Sequence, residues 1–450
     1  MPLTAGAAAN DGLTARTHAI FDARLSQDAD HPVAIALSGG GDSMALLALA
    51  ADWAALRGRP LLALTVDHGL SPASGRWSDL ARQACRERGV DWRGLTWDGP
   101  KPSVGLPAAA RTARHGLIAD AARAAGAQVV LFAHTADDVA EGDWMRAEGS
   151  TLGRLREWAP SPAWPQGRGL MLLRPLLGAR RGDLRDWLTG RGIGWVEDPA
   201  NDDVRFARTR ARRALATIGK VEAGAEPTVE TPFDYGRHAD WGVLQLARQD
   251  LSARRLAATL VCAGGGDAPP RGARLAWLVQ RLQAREDFAA TLSGAWIEAA
   301  GDQVRVMRDA GEFARRGAEP LSLPAGRPVV WDGRFEVQAD DAGWFVAAAT
   351  GRLARLSDQD RAVLAGLPPA ARGTMPVLIR DRTDAPVLAW RAATVRPLVG
   401  QRLGLALDET THERDLAAAT HGAMAPDRLF SGKTLKTGAG QGPAGQPRNA

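Results

Sequence analysis

One glycine-rich segment of this sequence has the composition of a phosphate site. Residues 38–43 read SGGGDS and lie between an apolar run, residues 33–37, and residues 44–56, whose apolar side chains suit a buried helix. A loop between a strand and a helix presents backbone N–H groups and the positive end of the helix dipole to an anion. Its aspartate can orient the loop or help hold Mg²⁺ between phosphates. The predicted nucleotide-binding residues are Ser38, Gly39, Gly40, Gly41, Asp42 and Ser43.

Two other phosphate-binding motifs do not fit this chain. A Walker A loop requires GxxxxGK[ST], but the GKT at residues 432–434 has Asp427 where the first glycine belongs. A dinucleotide fingerprint requires a third glycine at the position of Met44. Glycines alone would also suit an ordinary strand-to-helix turn, but the serines and the aspartate around them favour a nucleotide site.

A second polar cluster follows the next predicted strand, residues 61–66. Asp67, His68 and Gly69 would lie at the carboxyl edge of the sheet, where open α/β folds bind ligands. We expect Asp67 and His68 to recognise the adenosine of the nucleotide. The alternative is a turn in which Asp and Gly serve only the backbone geometry.

A third cluster combines a histidine with three carboxylates. His134, Asp137 and Asp138 follow the predicted strand 129–133, and Glu141 lies three and four residues past the two aspartates on a similar helix face. Such a group can bind magnesium, remove a proton or hold a cationic substrate such as lysine. One aspartate can instead cap the helix. We predict that the histidine and both aspartates are catalytic and that Glu141 binds substrate.

Two arginines supply the opposite charge. Arg111 and Arg114 are three residues apart on one predicted helix face, a spacing suited to phosphates or RNA. An exposed amphipathic helix would show the same spacing.

Strands and helices alternate along the part of the chain that carries these clusters. Alternation with short apolar strands predicts an α/β fold, a parallel Rossmann-like sheet with helices on both faces, followed by smaller helical and α+β domains. The predicted units are an N-terminal extension (1–30), an ATP-binding catalytic domain (31–216), a linker (217–236), a helical middle domain (237–317), a mixed α/β domain expected to contact tRNA (318–430) and a disordered tail (431–450).

Composition narrows the function class. The chain has 450 residues, a formal net charge of +5 and a pI near 9.8, which permit nucleic-acid binding without requiring it. Its two cysteines, Cys85 and Cys262, form no CxxC pair, which argues against a disulfide framework or a cysteine-based metal site. No apolar run approaches the roughly 20 residues of a membrane span, so we expect a cytoplasmic protein.

The SGGGDS loop resembles that of the PP-loop family. That family cleaves ATP between its α and β phosphates and transfers AMP to a substrate oxygen. The resemblance therefore implies adenylation, with ATP and Mg²⁺ as cofactors, and not phosphoryl transfer.

Four further segments are similar to those of the tRNA(Ile)-lysidine synthetases within that family. The match covers roughly residues 33 to 215, with the motifs in the expected order. The segments are ARTARH (110–115), RPLL (174–177), WVEDPAND (195–202) and FARTRAR (206–212), compared with ARxxRY, RPLL, WVEDPSN and FxRNxIR in the family.

This resemblance implies ligation of L-lysine to C2 of the wobble cytidine in an isoleucine tRNA with a CAU anticodon. The C2 oxygen would be adenylated first, and lysine would then displace AMP. Arg114 and Arg208 are expected to be catalytic, and Arg111 and Arg212 to bind substrate. These arginines could neutralise charge on the adenylate or hold the tRNA backbone.

Two rival functions remain at this stage. A PP-loop tRNA thiolase would also activate a base carbonyl, but such enzymes typically need paired cysteines. A catalytically silent tRNA-binding homologue would keep the fold without turnover. A requirement for lysine separates the first rival, and tRNA-dependent AMP release separates the second. The sequence leaves the oligomeric state open.

Overall fold

The structure is a computed structural model. Its first sheet has six strands. The structure describes residues 4–150, 153–197, 207–218, 239–317, 319–380, 385–407 and 410–420. The strands are β1 (Val33–Ala36), β2 (Leu61–Asp67), β3 (Asp91–Thr96), β4 (Val129–Leu131), β5 (Trp158–Pro160) and β6 (Met171–Leu173). Their order is β3-β2-β1-β4-β6-β5, and neighbours pair in parallel except β5, which runs antiparallel to β6.

Helices cover both faces of this sheet, as predicted. They are α1 (Thr4–Arg24), α2 (Gly41–Arg57), α3 (Ser74–Glu87), α4 (Leu106–Ala124), α5 (Ala136–Ala147), α6 (Arg181–Gly190) and α7 (Ala207–Ile218). Successive strand residues point to opposite faces. Val33 and Ile35 accordingly share a core with α1, α2, α3 and α6, whereas Ala34 shares the opposite core with α4.

The N-terminal residues are not a separate extension, contrary to the expectation for residues 1–30. Helix α1 places Phe21 against Trp53 of α2, with ring centroids 5.4 Å apart, and Leu25 is also buried. Burial of large apolar side chains such as these is a main source of stability. The helix therefore belongs to the core of the first domain.

The middle segment is an α+β unit, so the expectation of a helical domain over 237–317 is wrong. Leu244 and Leu246 are buried while Gln245 between them is half-buried, an alternation that suits a strand. The elements are β7 (Leu244–Ala247), α8 (Ala253–Gly264), α9 (Ala273–Gln283), β8 (Phe288–Leu292), β9 (Ala295–Ala300) and β10 (Gln303–Arg308). The strands form an antiparallel sheet in the order β7-β10-β9-β8.

The remaining elements mix short helices with two further antiparallel sheets. They are α10 (Gly311–Arg316), β11 (Leu321–Leu323), β12 (Val329–Trp331), β13 (Phe335–Gln338), β14 (Trp344–Ala348), α11 (Asp358–Ala365), α12 (Pro369–Arg372), β15 (Pro376–Ile379), β16 (Val387–Leu388), β17 (Thr394–Pro397), α13 (Val399–Ala406) and α14 (Glu413–Thr420). The sheets are β11-β14-β15-β16 and β12-β13-β17. Helix α13 returns to the core of the middle unit through Val399 and Leu403, and Leu416 of α14 reaches the core of the first domain.

Two predicted segments cannot be compared with the structure. The disordered tail 431–450 and residues 219–236 of the linker lie outside the described residues. Within the described ranges, no helix has both the length and the apolar character of a membrane span.

Candidate active site

The glycine loop joins the end of β1 to the start of α2 through a compact hydrogen-bond arrangement. Ser43 Oγ accepts from the Ser38 backbone N–H at 3.2 Å and donates to the Gly40 carbonyl at 2.9 Å. Because its single proton is used there, the 3.1 Å contact between the Ser38 and Ser43 hydroxyls requires Ser38 to donate. Helix α2 begins at Gly41, so its first N–H groups lie next to the loop, where an anion is favoured.

The family segment at residues 195–197 lies against this loop. Val196 N–H donates to the Gly39 carbonyl at 2.9 Å, and Gly40 forms a parallel bridge with Val196. The Trp195 ring lies next to Gly41, and its Nε1 donates to Glu197 at 2.8 Å. The segment therefore supports the phosphate loop from the side. Residues 198–206, which complete the predicted WVEDPAND segment and include Phe206, lie outside the described residues.

Replacing Gly39 by alanine should impair ATP use through the backbone. Gly39 has φ +84°, a conformation that costs other residues about 1–2 kcal/mol, while an added Cβ would meet only ordinary contacts. Gly58, at φ +64° beyond the other end of α2, provides a matched control. We expect both alanine variants to lose similar stability in urea, but only Gly39→Ala to raise KM for ATP by about 10-fold. Equal KM values in the two variants would contradict a phosphate role for this loop.

The predicted clusters gather at the carboxyl edge of the first sheet. Strands β1 and β4 are neighbours, although the chain visits β2 and β3 between them. This reversal of strand order is the point at which open α/β sheets bind ligands. The glycine loop follows β1, and the histidine–carboxylate cluster follows β4.

Asp67 is the last residue of β2, and His68 follows it at the same edge. The Asp67 carboxylate accepts from the Gly69 N–H at 2.8 Å, the geometry of a local turn. His68 meets Trp97 edge-on, with ring centroids 5.9 Å apart, and Lys101 lies over the same tryptophan at 4.1 Å. Burial lowers the pKa of His68, and nearby Arg114 lowers it further. The turn interpretation thus has direct support, and adenosine binding stays a prediction.

Arg181 lies at the centre of the acidic group, where it contacts three carboxylates. Its Nε donates to Asp42 at 3.2 Å, its Nη1 to Glu141 at 3.3 Å, and its Nη2 lies 3.8 Å from Asp138. Burial disfavours the charged guanidinium, but the carboxylates outweigh it and raise the pKa of Arg181. Burial raises the pKa of Asp42 despite its contact with Arg181. The arrangement is a partly dry ion-pair network beside the phosphate loop.

The two neighbouring aspartates have different partners. Asp138 Oδ2 accepts from the backbone N–H of Thr135 at 2.9 Å and from its hydroxyl at 3.0 Å, at the start of α5. Burial alone would raise the pKa of Asp138, yet Arg208 and the hydrogen bond from the Thr135 backbone hold it below its usual value. Asp137 accepts from the backbone N–H of Arg181 at 2.8 Å, so it connects α5 to the start of α6. Both aspartates therefore have structural contacts in addition to any chemical role.

Two arginines of α7 complete the group. Arg212 Nε donates to Glu141 Oε1 at 2.7 Å, and Arg208 lies 3.7 Å from Asp138 and 3.8 Å from Glu141. The Glu141 side chain is only 1% exposed, and the neighbouring arginines compensate its buried negative charge. Both sequence-predicted arginines of this segment thus reach the predicted carboxylates.

The arginines of α4 flank the histidine of the third cluster. Burial and the nearby Arg111 and Arg208 lower the pKa of Arg114 to about 10, and its Nε is buried without a hydrogen-bond partner. Arg114 lies 5.9 Å from the ring centroid of Phe132, which stacks on His134 at 5.9 Å. A buried, unpaired guanidinium donor next to this site is suited to an anionic group of a substrate.

Comparison with known proteins identifies the family of this chain. Residues 13–218 match the family described as the PP-loop domain. The tRNA(Ile)-lysidine synthase of Caulobacter vibrioides is 48% identical over 373 residues, which cover 82% of this chain and 90% of that protein.

The chain belongs to the tRNA(Ile)-lysidine synthase family. The enzymes of Hyphomonas neptunium and Mesorhizobium japonicum are each 36% identical, over 66% and 78% of this chain and 88% and 83% of their own lengths. The family resemblance stated from the sequence motifs is confirmed.

Two residues of this lysidine synthase family site were missed as functional candidates. Arg181 was not singled out in the sequence, because nothing local shows that it contacts three carboxylates from other elements. Arg174 was noted only within the RPLL segment, although it donates to His134 Nδ1 at 3.2 Å. The position of Arg174 directly after β6, at the same sheet edge, was the one available signal.

A magnesium ion at this site would have few protein ligands. Among the described residues, no group of three or more histidine, cysteine or acidic side chains is arranged to hold a metal. Mg²⁺ bound with a nucleotide typically takes one or two carboxylates, and the phosphates and water supply the rest. Asp42, whose side chain is 25% exposed at the start of α2, is suited to be that carboxylate.

Proposed function

We propose that this protein uses ATP to join lysine to C2 of the wobble cytidine in isoleucine tRNA with a CAU anticodon, releasing AMP and pyrophosphate. The observation that carries the proposal is the placement, at one sheet edge, of a phosphate loop beside an arginine–carboxylate cluster in a chain of this family. This reaction requires a site that binds phosphate and a site that binds a diamine. The phosphate loop suits the first requirement, and the carboxylates of the cluster suit the second.

In the first step, the cytidine C2 oxygen attacks the α-phosphorus of ATP. A bond forms between that oxygen and phosphorus, the bond from the α-phosphorus to the bridging oxygen breaks, and pyrophosphate leaves. The N–H groups at the start of α2 hold phosphate oxygens, and Arg114 and Arg208 offset the negative charge that develops. Mg²⁺, when bound near Asp42, would neutralise charge on the departing pyrophosphate.

In the second step, a lysine amine attacks C2, and AMP departs with the former C2 oxygen. The amine must first lose the proton of its ammonium form, and Asp138 and Glu141 are the buried carboxylates available to accept it. Before the reaction, the same carboxylates attract the cationic form of the amine. Arg111, exposed on α4, is free to contact the tRNA backbone.

The cysteines disfavour the thiolase alternative. Both are buried, and burial raises the pKa of Cys85 to about 12 and that of Cys262 to about 11. A thiolate able to carry sulfur is therefore strongly disfavoured at either position. Cys85 lies on α3 and Cys262 on α8, in two separate cores, so they cannot pair at the sheet edge.

Adenylation can be tested before any lysine is supplied. With ATP labelled at the α-phosphate, we expect label to accumulate on isoleucine tRNA when lysine is absent and to leave as AMP when lysine is added. Replacing the wobble cytidine by uridine should abolish both signals. Labelled tRNA that releases AMP with a sulfur donor but not with lysine would indicate the thiolase, and no label at all would indicate a silent binding protein.

A further inference from the structure

We propose that Arg174 fixes His134 as the neutral tautomer with its proton on Nε2, so that His134 serves lysine transfer as a hydrogen-bond donor and not as a base. The inference deepens the proposed function and rests on it. It assigns Arg174 as a positioning residue, because it acts on the substrate only through the imidazole.

The tautomer follows from the donor chemistry of arginine. Arg174 Nε lies 3.2 Å from His134 Nδ1, and a guanidinium has N–H donors but no acceptor. His134 Nδ1 therefore has to accept, and the single proton of a neutral imidazole resides on Nε2. Arg174 is itself fixed, because its Nη1 donates to the Arg156 carbonyl at 2.8 Å. Both side chains are buried, with residue exposures of 6% for Arg174 and 7% for His134.

The surroundings of His134 oppose a second proton. Arg174, Arg111 and Arg114 supply positive charge on its side of the site, and Asp138 is the carboxylate that opposes them. Burial lowers the pKa of His134, and Arg174 lowers it further. On the other flank Phe132 stacks on His134 at 5.9 Å with ring planes 14° apart, and it offers no charge.

The stack continues to a second histidine that is also kept neutral. His115 lies on Phe132 with centroids 5.1 Å apart, and burial lowers its pKa to about 3. His134 therefore has no cationic partner that could relay a proton to it through this stack.

Nε2 of His134 is left available. Among the described residues it has no hydrogen-bond partner, whereas Nδ1 is used by Arg174. His134 lies after β4, at the same sheet edge as the glycine loop, where the C2 oxygen or a phosphate oxygen of the adenylate would accept a hydrogen bond from the Nε2–H group. Proton removal from lysine then falls to the carboxylates Asp138 and Glu141.

Histidine tautomers can be measured without turnover. In protein labelled with ¹⁵N-histidine, the His134 signals are assigned by their loss in His134→Gln. We expect an Nε2-protonated neutral ring that does not titrate between about pH 5.5 and 8.5. In Arg174→Met the ring should show mixed tautomers or titrate in that range, and Arg174→Lys, which keeps a donor, should restore the original pattern. An Nδ1-protonated ring or an imidazolium near pH 7 in the wild-type protein would overturn the proposal.

Activity of two position-134 variants separates a donor from a base. Glutamine places an N–H near Nε2, and asparagine places one near Nδ1. We expect His134→Gln to retain lysine transfer within about 10-fold and His134→Asn to lose about 100-fold or more, the usual effect of losing one such donor. Equal loss in both variants, with melting temperatures unchanged, would contradict the donor role. A wild-type protein with the expected tautomer but no lysine transfer would contradict the proposed function and leave the tautomer assignment standing.

Discussion

Replacing Arg181 by methionine should lower kcat/KM for lysine transfer by about 100-fold or more. Arg181 contacts Asp42, Asp138 and Glu141, which come from α2 and α5, and it therefore fixes the phosphate loop relative to the carboxylates. Methionine would leave these carboxylates near one another in a partly dry site, where like charges raise each other's pKa. Loss of preorganised charge of this kind costs about 3–4 kcal/mol in the transition state.

Two further variants serve as controls for Arg181→Met. Arg181→Lys keeps the charge but cannot reach three carboxylates at once, so we expect intermediate activity. Arg82→Met removes an arginine of α3 that pairs with Asp79 at 2.8 Å on an exposed surface, and it should leave kcat/KM unchanged. Rates are measured at saturating ATP after the folded fraction has been determined by circular dichroism. Wild-type activity in Arg181→Met would show that this network is not part of the reactive site.

Replacing Arg59 by methionine should cost about 3–5 kcal/mol of unfolding free energy, because it removes the arginine partner of a buried carboxylate. Arg59 Nη2 donates to Glu413 at 2.6 Å, and the two side chains are 0% and 1% exposed. Arg59 Nη1 also donates to the Ser26 carbonyl at 2.7 Å. The pair fastens α14 to the first domain, and Trp158 Nε1 adds a bond to the Thr410 carbonyl at 2.9 Å.

A double variant separates loss of the pair from loss of packing. Arg59→Met combined with Glu413→Met replaces both charges by apolar groups, a change that is often nearly neutral for a buried pair. We expect urea unfolding to show a large loss in either single variant and recovery of most of it in the double variant. Limited proteolysis should also cleave near residue 410 sooner in the single variants. Losses below about 1 kcal/mol in both single variants would contradict a buried ion pair.

The sequence predicted the fold of the first domain because its signals are local. The apolar run before Ser38 and the glycines after it mark a strand and a turn regardless of the rest of the chain, and the structure confirms β1 and α2. In contrast, α1 carries few strong signals beyond Phe21, which packs against Trp53 of α2. Strand β7 of the middle unit was missed because it is only four residues long, too short for its alternation to outweigh the helical pattern that follows.

The sequence predicted the site residues that follow strand ends, and it did not predict the residue that reaches the site from a distant part of the chain. Asp42, Asp138 and Glu141 lie together because β1 and β4 are neighbours, which strand–helix alternation makes probable. Arg181, 40 residues beyond Glu141 in the chain, contacts them from α6, and no local sequence pattern indicates that contact. Assignment of separate roles to Asp137 and Asp138 also required the structure, since adjacent residues of the same type differ only in their partners.

The most direct test of the central claim is incorporation of radiolabelled lysine into transcripts of isoleucine tRNA with a CAU anticodon. The proposed function predicts label that requires ATP, that is lost when the wobble cytidine is replaced by uridine, and that falls sharply in Asp42→Ala. A protein that binds ATP and this tRNA but incorporates no lysine would contradict it.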